Sequence, residues 1–300
     1  MTTTRPAPAL KPLRGVRVLS LALNLPGPAA LMRLKAMGAT CLKAEPPAPK
    51  SASSGDPMGQ YNPKAYATMH DGIRVVSIDL KTDKGQAALH KALARTDLLL
   101  TSFRPSALIK LNLGWKALHK QYPALNVVAI VGAPGARAEE PGHDLTYLAE
   151  AGLVPGLELP ATLFADMGGA LMTSEAALKA VLVQRSTGKG VFQEVALSDA
   201  AAWLALPRGW GLTLSSGAVG GAHAGYRVYP CKDGRVAVAA LEPHFAASLC
   251  TAAGLAVSDM RTLFKPETHG AIAAFFKGMT RKQLDQLSVA KDIPLHTLAA

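Results

Sequence analysis

The first two hundred residues alternate short apolar, β-branched runs with stretches of helical spacing, and this pattern leaves few folds open. Val16–Ala22, Thr40–Glu45, Val75–Asp79, Asp97–Thr101, Asn126–Val131 and Gln193–Leu197 read as strands. Between them, Ala29–Met37 and Lys84–Arg95 have the spacing of helices, and Pro105–Tyr122 reads as helical pieces broken near Gly114. Strands separated by helices imply a parallel sheet with right-handed crossovers. Such sheets bind ligands at the carboxyl ends of their strands. Residues 46–72 carry Pro, Ser, Gly and Asn throughout and read as a loop. There is no GxGxxG or P-loop sequence, so an ordinary dinucleotide or nucleoside-triphosphate site is not expected.

The pattern then changes. Gly132–Gly142 reads as a Gly/Pro loop, Asp166–Val183 as a long Ala-rich helix and Asp199–Leu206 as another helix. Residues 209–225 are rich in Gly and Ser and read as a linker. Tyr226–Tyr229 and Arg235–Leu241 flank Lys232-Asp233-Gly234, a hairpin signal, and short helices are expected from there to the end. The expected fold class is α/β, with a large parallel-sheet domain over residues 1–206, a linker over 207–222 and a smaller α+β domain over 223–300.

Composition narrows the function classes. The 300 residues are 49% hydrophobic and 18% charged, enough for a large core and not disordered. No apolar run approaches the ~20 residues of a membrane-spanning helix. The N-terminal stretch does not read as a secretory signal, so a cytoplasmic protein with no membrane partner is expected. Three cysteines, Cys41, Cys231 and Cys250, lack the spacing of a metal or redox motif and read as packed thiols; no metal is expected. The net charge of +11 suits an anionic partner. Basic residues are scattered and aromatics are only 5%, which argues against nucleic acid and leaves a phosphate-rich small molecule or a solubility charge.

Three places carry candidate chemistry. His143 lies just beyond the strand ending at Val131 and can exchange a proton near neutral pH. Its neighbour Asp144 reads as a cap of the following helix. Asp166, in Ala165-Asp-Met-Gly-Gly169, opens a helix and reads either as its N-cap or as a proton-moving carboxyl. In the second reading Gly168 and Gly169 admit a ligand close to the backbone, and first-turn N–H groups hold a developing oxyanion. Glu242 precedes a helix beginning at Pro243 and reads either as a helix-start carboxylate or as a group that orients a histidine. Taken singly, His143 and Asp166 each read more readily as structural, and Glu242 reads equally well either way.

Taken together, the order and spacing of the motifs resemble the family III CoA-transferases, and within them the α-methylacyl-CoA racemases. The resemblance runs through Leu13-Arg-Gly-Val-Arg-Val18, Lys43-Ala-Glu-Pro-Pro47, Val76-Ser-Ile-Asp-Leu-Lys-Thr82, Phe103-Arg-Pro105, Gly142-His-Asp-Leu-Thr-Tyr147, Ala165-Asp-Met-Gly-Gly169 and Leu241-Glu-Pro-His-Phe245. It implies a Rossmann-like large domain, an acyl-CoA substrate with no separate cofactor, and a homodimer whose subunits interlock. It places Arg74, Lys81 and Arg104 against the phosphates or adenine of CoA, where cations neutralise charge. It makes His143 and Asp166 the two acid/base groups of a racemase, with Glu242 supporting His143. In the transferase branch Asp166 is instead the nucleophile. A relative that binds CoA without catalysis is the third reading.

The sequence also departs from the family pattern. Thr162 stands where the racemases usually have an Asn that helps hold the Asp, and Ile73 where a basic residue is usual. The Gly132–Pro141 loop is short. Family members run on past the position of Ala300, so a weaker dimer or a less enclosed site is expected.

Overall fold

The computed structural model describes residues 10–256 and 259–300. In chain order its first unit contains β1 (Arg17–Ser20), α1 (Pro26–Ala36), β2 (Thr40–Glu45), α2 (Pro57–Tyr61), α3 (Pro63–Met69), β3 (Arg74–Ser77), α4 (Asp83–Leu93) and β4 (Leu98–Thr101). There follow α5 (Pro105–Lys110), α6 (Trp115–Gln121), β5 (Asn126–Val131), α7 (Asp144–Glu150), α8 (Phe164–Thr187), β6 (Phe192–Ala196) and α9 (Leu197–Gly209). The chain divides into two compact units between Ala205 and Leu206, inside α9.

The six strands form one sheet in the order β3-β2-β1-β4-β5-β6, with every neighbouring pair parallel. This is the doubly wound order, and the fold is the α/β class expected. β4 and β5 are buried along their whole length, which explains their unbroken apolar runs. α1 and α8 cover one face with Leu31, Leu34, Ala177 and Val181. Leu89 and Leu93 of α4 and Leu118 of α6 belong to the core on the other. The strand order reverses between β1 and β4, and loops leaving the sheet there diverge to leave a crevice.

Residues 46–72 are not the plain loop expected. They contain α2 and α3, because Asp-Pro and Asn-Pro act here as helix starts rather than turns. The Asp56 carboxylate accepts the Met58 N–H (2.9 Å), the Asn62 side chain accepts the Ala65 N–H (3.1 Å), and Pro57 and Pro63 take the first helical position. This excursion closes tightly on itself. A Cβ on Gly55 would fall 1.8 Å from the Pro46 carbonyl oxygen, so only glycine fits, while residues 47–53 lie largely exposed.

Beneath the excursion lies a buried polar cluster. Lys43, on β2, is fully buried and bonds to Asp56, itself fully buried; Glu45 lies 3.5 Å away. Glu45 also accepts from the Ser54 hydroxyl, the Gly55 N–H and the Tyr66 hydroxyl. The His70 Nδ1–H donates to the Tyr66 carbonyl (2.7 Å), which leaves Nε2 to accept from Lys43 at 3.0 Å. Burial first, and then Lys43, lower the His70 pKa, consistent with a neutral ring. A buried cation is tolerated only with such partners.

The second unit holds β7 (Tyr226–Cys231), β8 (Gly234–Ala239), α10 (Pro243–Ala252), α11 (Pro266–Lys277), α12 (Arg281–Lys291) and β9 (Leu295–Leu298). The strands form an antiparallel sheet in the order β7-β8-β9, with a core of Tyr229, Val236, Val238, Leu249, Ile272 and Phe276. Short helices do not run to the end as expected. Pro294 follows α12, and the last four-residue run adds β9 to β8. The stretch read as a linker is folded too: α9 extends to Gly209, a 3-10 turn forms at Ala218–Gly220, and His223 and Ala224 are buried.

Removing one partner of a buried ion pair leaves an uncompensated charge. Asp56→Ala is therefore expected to lower the unfolding free energy by about 3–5 kcal/mol, measured as a shift of the denaturant midpoint at unchanged m-value.

Candidate active site

At the switch point, the loops after β1, β4 and β5 enclose a cavity of about 180 Å³. Asn24 follows β1, Ser102, Phe103 and Arg104 follow β4, and Gly132 follows β5; Glu140, His143, Tyr147 and Asp166 are also among the lining residues. Ligand-sized pockets run to roughly 300–1,000 Å³. This cavity therefore suits the reacting end of a larger molecule rather than all of it.

His143 is the N-cap of α7, with its backbone N–H donating to the Thr146 hydroxyl (3.1 Å). Asp144 is the first residue of α7, and it does not cap that helix as expected. Its buried carboxylate instead accepts the Asp166 N–H at 2.9 Å. Nor is Asp166 the N-cap of α8. That position is Leu163, which offers no side-chain acceptor, and Asp166 lies in the first turn. A helix start needs acceptors for its free N–H groups. Here a neighbouring helix supplies one, which no local sequence pattern announces.

Burial is the largest influence on the Asp166 carboxyl. Together with the Asp144 charge, and against the opposing effect of His143, it pushes the pKa from 3.8 to about 6. A carboxyl so placed is poised to exchange a proton near neutral pH. Two expectations about its surroundings need correction. Gly168 and Gly169 face Ala200, Leu204 and Leu197 of α9, so their small size serves helix packing, not ligand approach. Two of the three free first-turn N–H groups are also spent: Phe164 donates to the Thr162 carbonyl and Asp166 to Asp144, which leaves the Ala165 N–H.

Tyr147 is a pocket residue that sequence reasoning missed. A Cβ on Gly132 would fall 2.2 Å, and one on Gly142 2.4 Å, from its hydroxyl oxygen. The two glycines bounding the loop are the signal that a ring passes between them. The structure brings His143, Asp166 and Arg104 to one cavity. Lys81 lines a second crevice, walled by Leu21, Ile78, Leu80 and Leu111, which shares Phe103 with the first. Arg74 begins β3, at the amino end of the strand, and lines neither. Glu242 is the exposed N-cap of α10 in the second unit. Thr162 is exposed and does not line the cavity. Among the described residues no cluster of His, Cys, Asp and Glu is able to hold a metal ion, and no helix is long and apolar enough to cross a membrane.

The doubly wound fold is also found in solved structures. A crystal structure of a hypothetical protein from Mycobacterium tuberculosis matches with a TM-score of 0.82 at 24% identity, covering 97% of this chain and 86% of that one. The chain belongs to CoA-transferase family III, whose sequence profile matches residues 13–299. It is 29% identical over 297 residues to an alpha-methylacyl-CoA racemase of Mus musculus, covering 92% of this chain and 74% of the relative. It is 34% identical over 149 residues to a cinnamoyl-CoA:phenyllactate CoA-transferase of Clostridium sporogenes, covering 47% of this chain and 36% of that protein.

The raised Asp166 pKa has a definite consequence for stability. A carboxyl whose folded value lies above its unfolded one contributes fully below pH ~4 and loses that contribution as pH rises toward 6. Asp166→Asn stays neutral throughout. Its stability relative to wild type is expected to rise between about pH 4 and pH 6 and to level off above. Discounted for partial exposure, the change is on the order of 1–2 kcal/mol, read from denaturant unfolding at the two ends of that range.

Proposed function

We propose that this protein is an acyl-CoA racemase or epimerase that inverts the α-carbon of a 2-methylacyl-CoA. The observation that carries the reading is that His143 and Asp166 line one small cavity. In one direction the Asp166 carboxylate takes the α-proton and the electron pair moves into the thioester carbonyl, giving an enolate. The His143 imidazolium then returns a proton to the opposite face, leaving a neutral imidazole and a protonated Asp166. Exchange with solvent resets both groups. Arg104 beside the cavity and Lys81 in the adjoining crevice are proposed to meet the CoA phosphates, which gives part of the +11 charge a purpose. Arg74 is left out on position. Glu242 enters as a group supporting His143 on the resemblance alone, as do a homodimer and a cytoplasmic location.

A second reading, an acyl-CoA:carboxylate CoA-transferase with Asp166 as nucleophile, draws on a match covering 47% of the chain. There the Clostridium sporogenes transferase is 34% identical, above the 29% of the mouse racemase over a longer span. In that reaction Asp166 attacks the thioester, CoA leaves as the thiolate, and a mixed anhydride forms.

The test follows both epimers of a chiral 2-methylacyl-CoA in heavy water by NMR. Wild type is expected to exchange the α-hydrogen and to interconvert the epimers, at a rate that climbs through about pH 6 as Asp166 ionises. Asp166→Asn is expected to abolish turnover, and His143→Ala to slow inversion by about 10²–10⁴-fold. Absence of exchange, with CoA passing to a free carboxylic acid and a hydroxylamine-sensitive adduct on Asp166, would replace the racemase by the transferase.

A further inference from the structure

The first turn of α8 was the expected holder of the oxygen that gains charge during reaction. With the Phe164 and Asp166 N–H groups already bonded, that turn keeps the Ala165 N–H alone among its free donors. The cavity has another neutral amide donor in Asn24. Its backbone is left-handed, with φ 63°. Asn tolerates that conformation better than other non-glycine residues, which by itself explains an Asn in a turn. The surroundings say more. The Leu23 N–H donates to the Ser102 hydroxyl (3.1 Å), and the Asn24 N–H donates to the Asp56 carboxylate (3.0 Å). Asp56 is fully buried and held by Lys43, so a charged core pair fixes this one turn. Two consecutive backbone N–H groups are thus anchored by side chains from two other segments. The Asn24 carboxamide has no hydrogen-bond partner of its own among the described residues. The anchored backbone fixes where the Asn24 side chain leaves the chain at the cavity wall, and a donor at a fixed place beside a reacting group holds developing negative charge at little cost of reorganisation.

Resting on the acyl-CoA reading above, we propose that Asn24 is a further substrate-contacting residue whose carboxamide donates a hydrogen bond to the thioester carbonyl oxygen. The donor therefore comes from the loop after β1, and the helix carrying Asp166 is left to move the proton.

The test is Asn24→Gly. Glycine keeps the left-handed backbone and the N–H to Asp56 while deleting only the carboxamide. Exchange of the α-hydrogen of isobutyryl-CoA in heavy water, or CoA transfer to acetate if that is the activity found, is measured with the melting temperature. The expected result is a fall in kcat of about 10²-fold at an unchanged melting temperature, with KM within about threefold, as for loss of one oxyanion donor. Asn24→Asp supplies an independent readout, because a further carboxylate in the cavity, beside those of Asp166 and Glu140, is expected to move the Asp166-dependent limb of the pH profile upward. Asn24→Gly with wild-type kcat overturns the inference and leaves the acyl-CoA reading standing. An Asn24→Asp profile with an unmoved limb overturns it too, because Asn24 then does not face the reacting groups. Wild type that neither exchanges nor transfers overturns both.

Discussion

One hydrogen bond, from the Asp166 N–H to the Asp144 carboxylate, sets the geometry of the cavity. His143 and Asp144 are consecutive at the start of α7, and Asp166 lies in the first turn of α8. Tying Asp144 to Asp166 therefore ties the imidazole-bearing residue to the carboxyl-bearing one through a single backbone step. The same contact has an electrostatic effect. It brings a negative charge beside a carboxyl that burial already disfavours as an anion, and both influences act in one direction. Architecture and proton affinity at this site have a common origin.

The front wall of the cavity depends on a different kind of force. Lys43 and Asp56 are charges that gain nothing simply by being buried, and their mutual attraction mainly offsets the cost of leaving water. What the pair supplies is direction. Asp56 caps α2, accepts from the turn at Asn24 and meets Lys43 on β2, so three chain segments agree on one position. An apolar cluster of the same volume would fill the space without specifying the turn.

How far the sequence was legible follows the range of the interactions. The strand Asn126–Val131 was readable to the residue because its apolar run is buried along its whole length, and Thr40–Glu45 because Gly38 and Pro46-Pro47 bound it. The helix break at Gly114 was equally local. α2 and α3 were missed because Asp-Pro and Asn-Pro serve turns and helix starts alike, and only the tertiary setting of Asp56 separates the two. β9 was missed because four residues carry too little pattern until a partner strand is known. At the candidate site, His143, Asp166 and Arg104 were singled out through motif order, and they line one cavity. The partnership of Asp144 with Asp166, the Tyr147 ring between two glycines and the anchored turn at Asn24 join residues far apart in the chain, and no spacing rule reports them.

Pro46 and Gly55 meet so closely that the exposed residues between them form a stalkless bight, tied off at its base. The cluster that fixes the Asn24 turn draws on Lys43, Glu45, Ser54 and Asp56 and takes nothing from residues 47–53. For a flexible loop, added length raises the closure entropy only logarithmically. This stretch can therefore be lengthened, shortened or recharged while the turn at Asn24 and the cavity it lines keep their places.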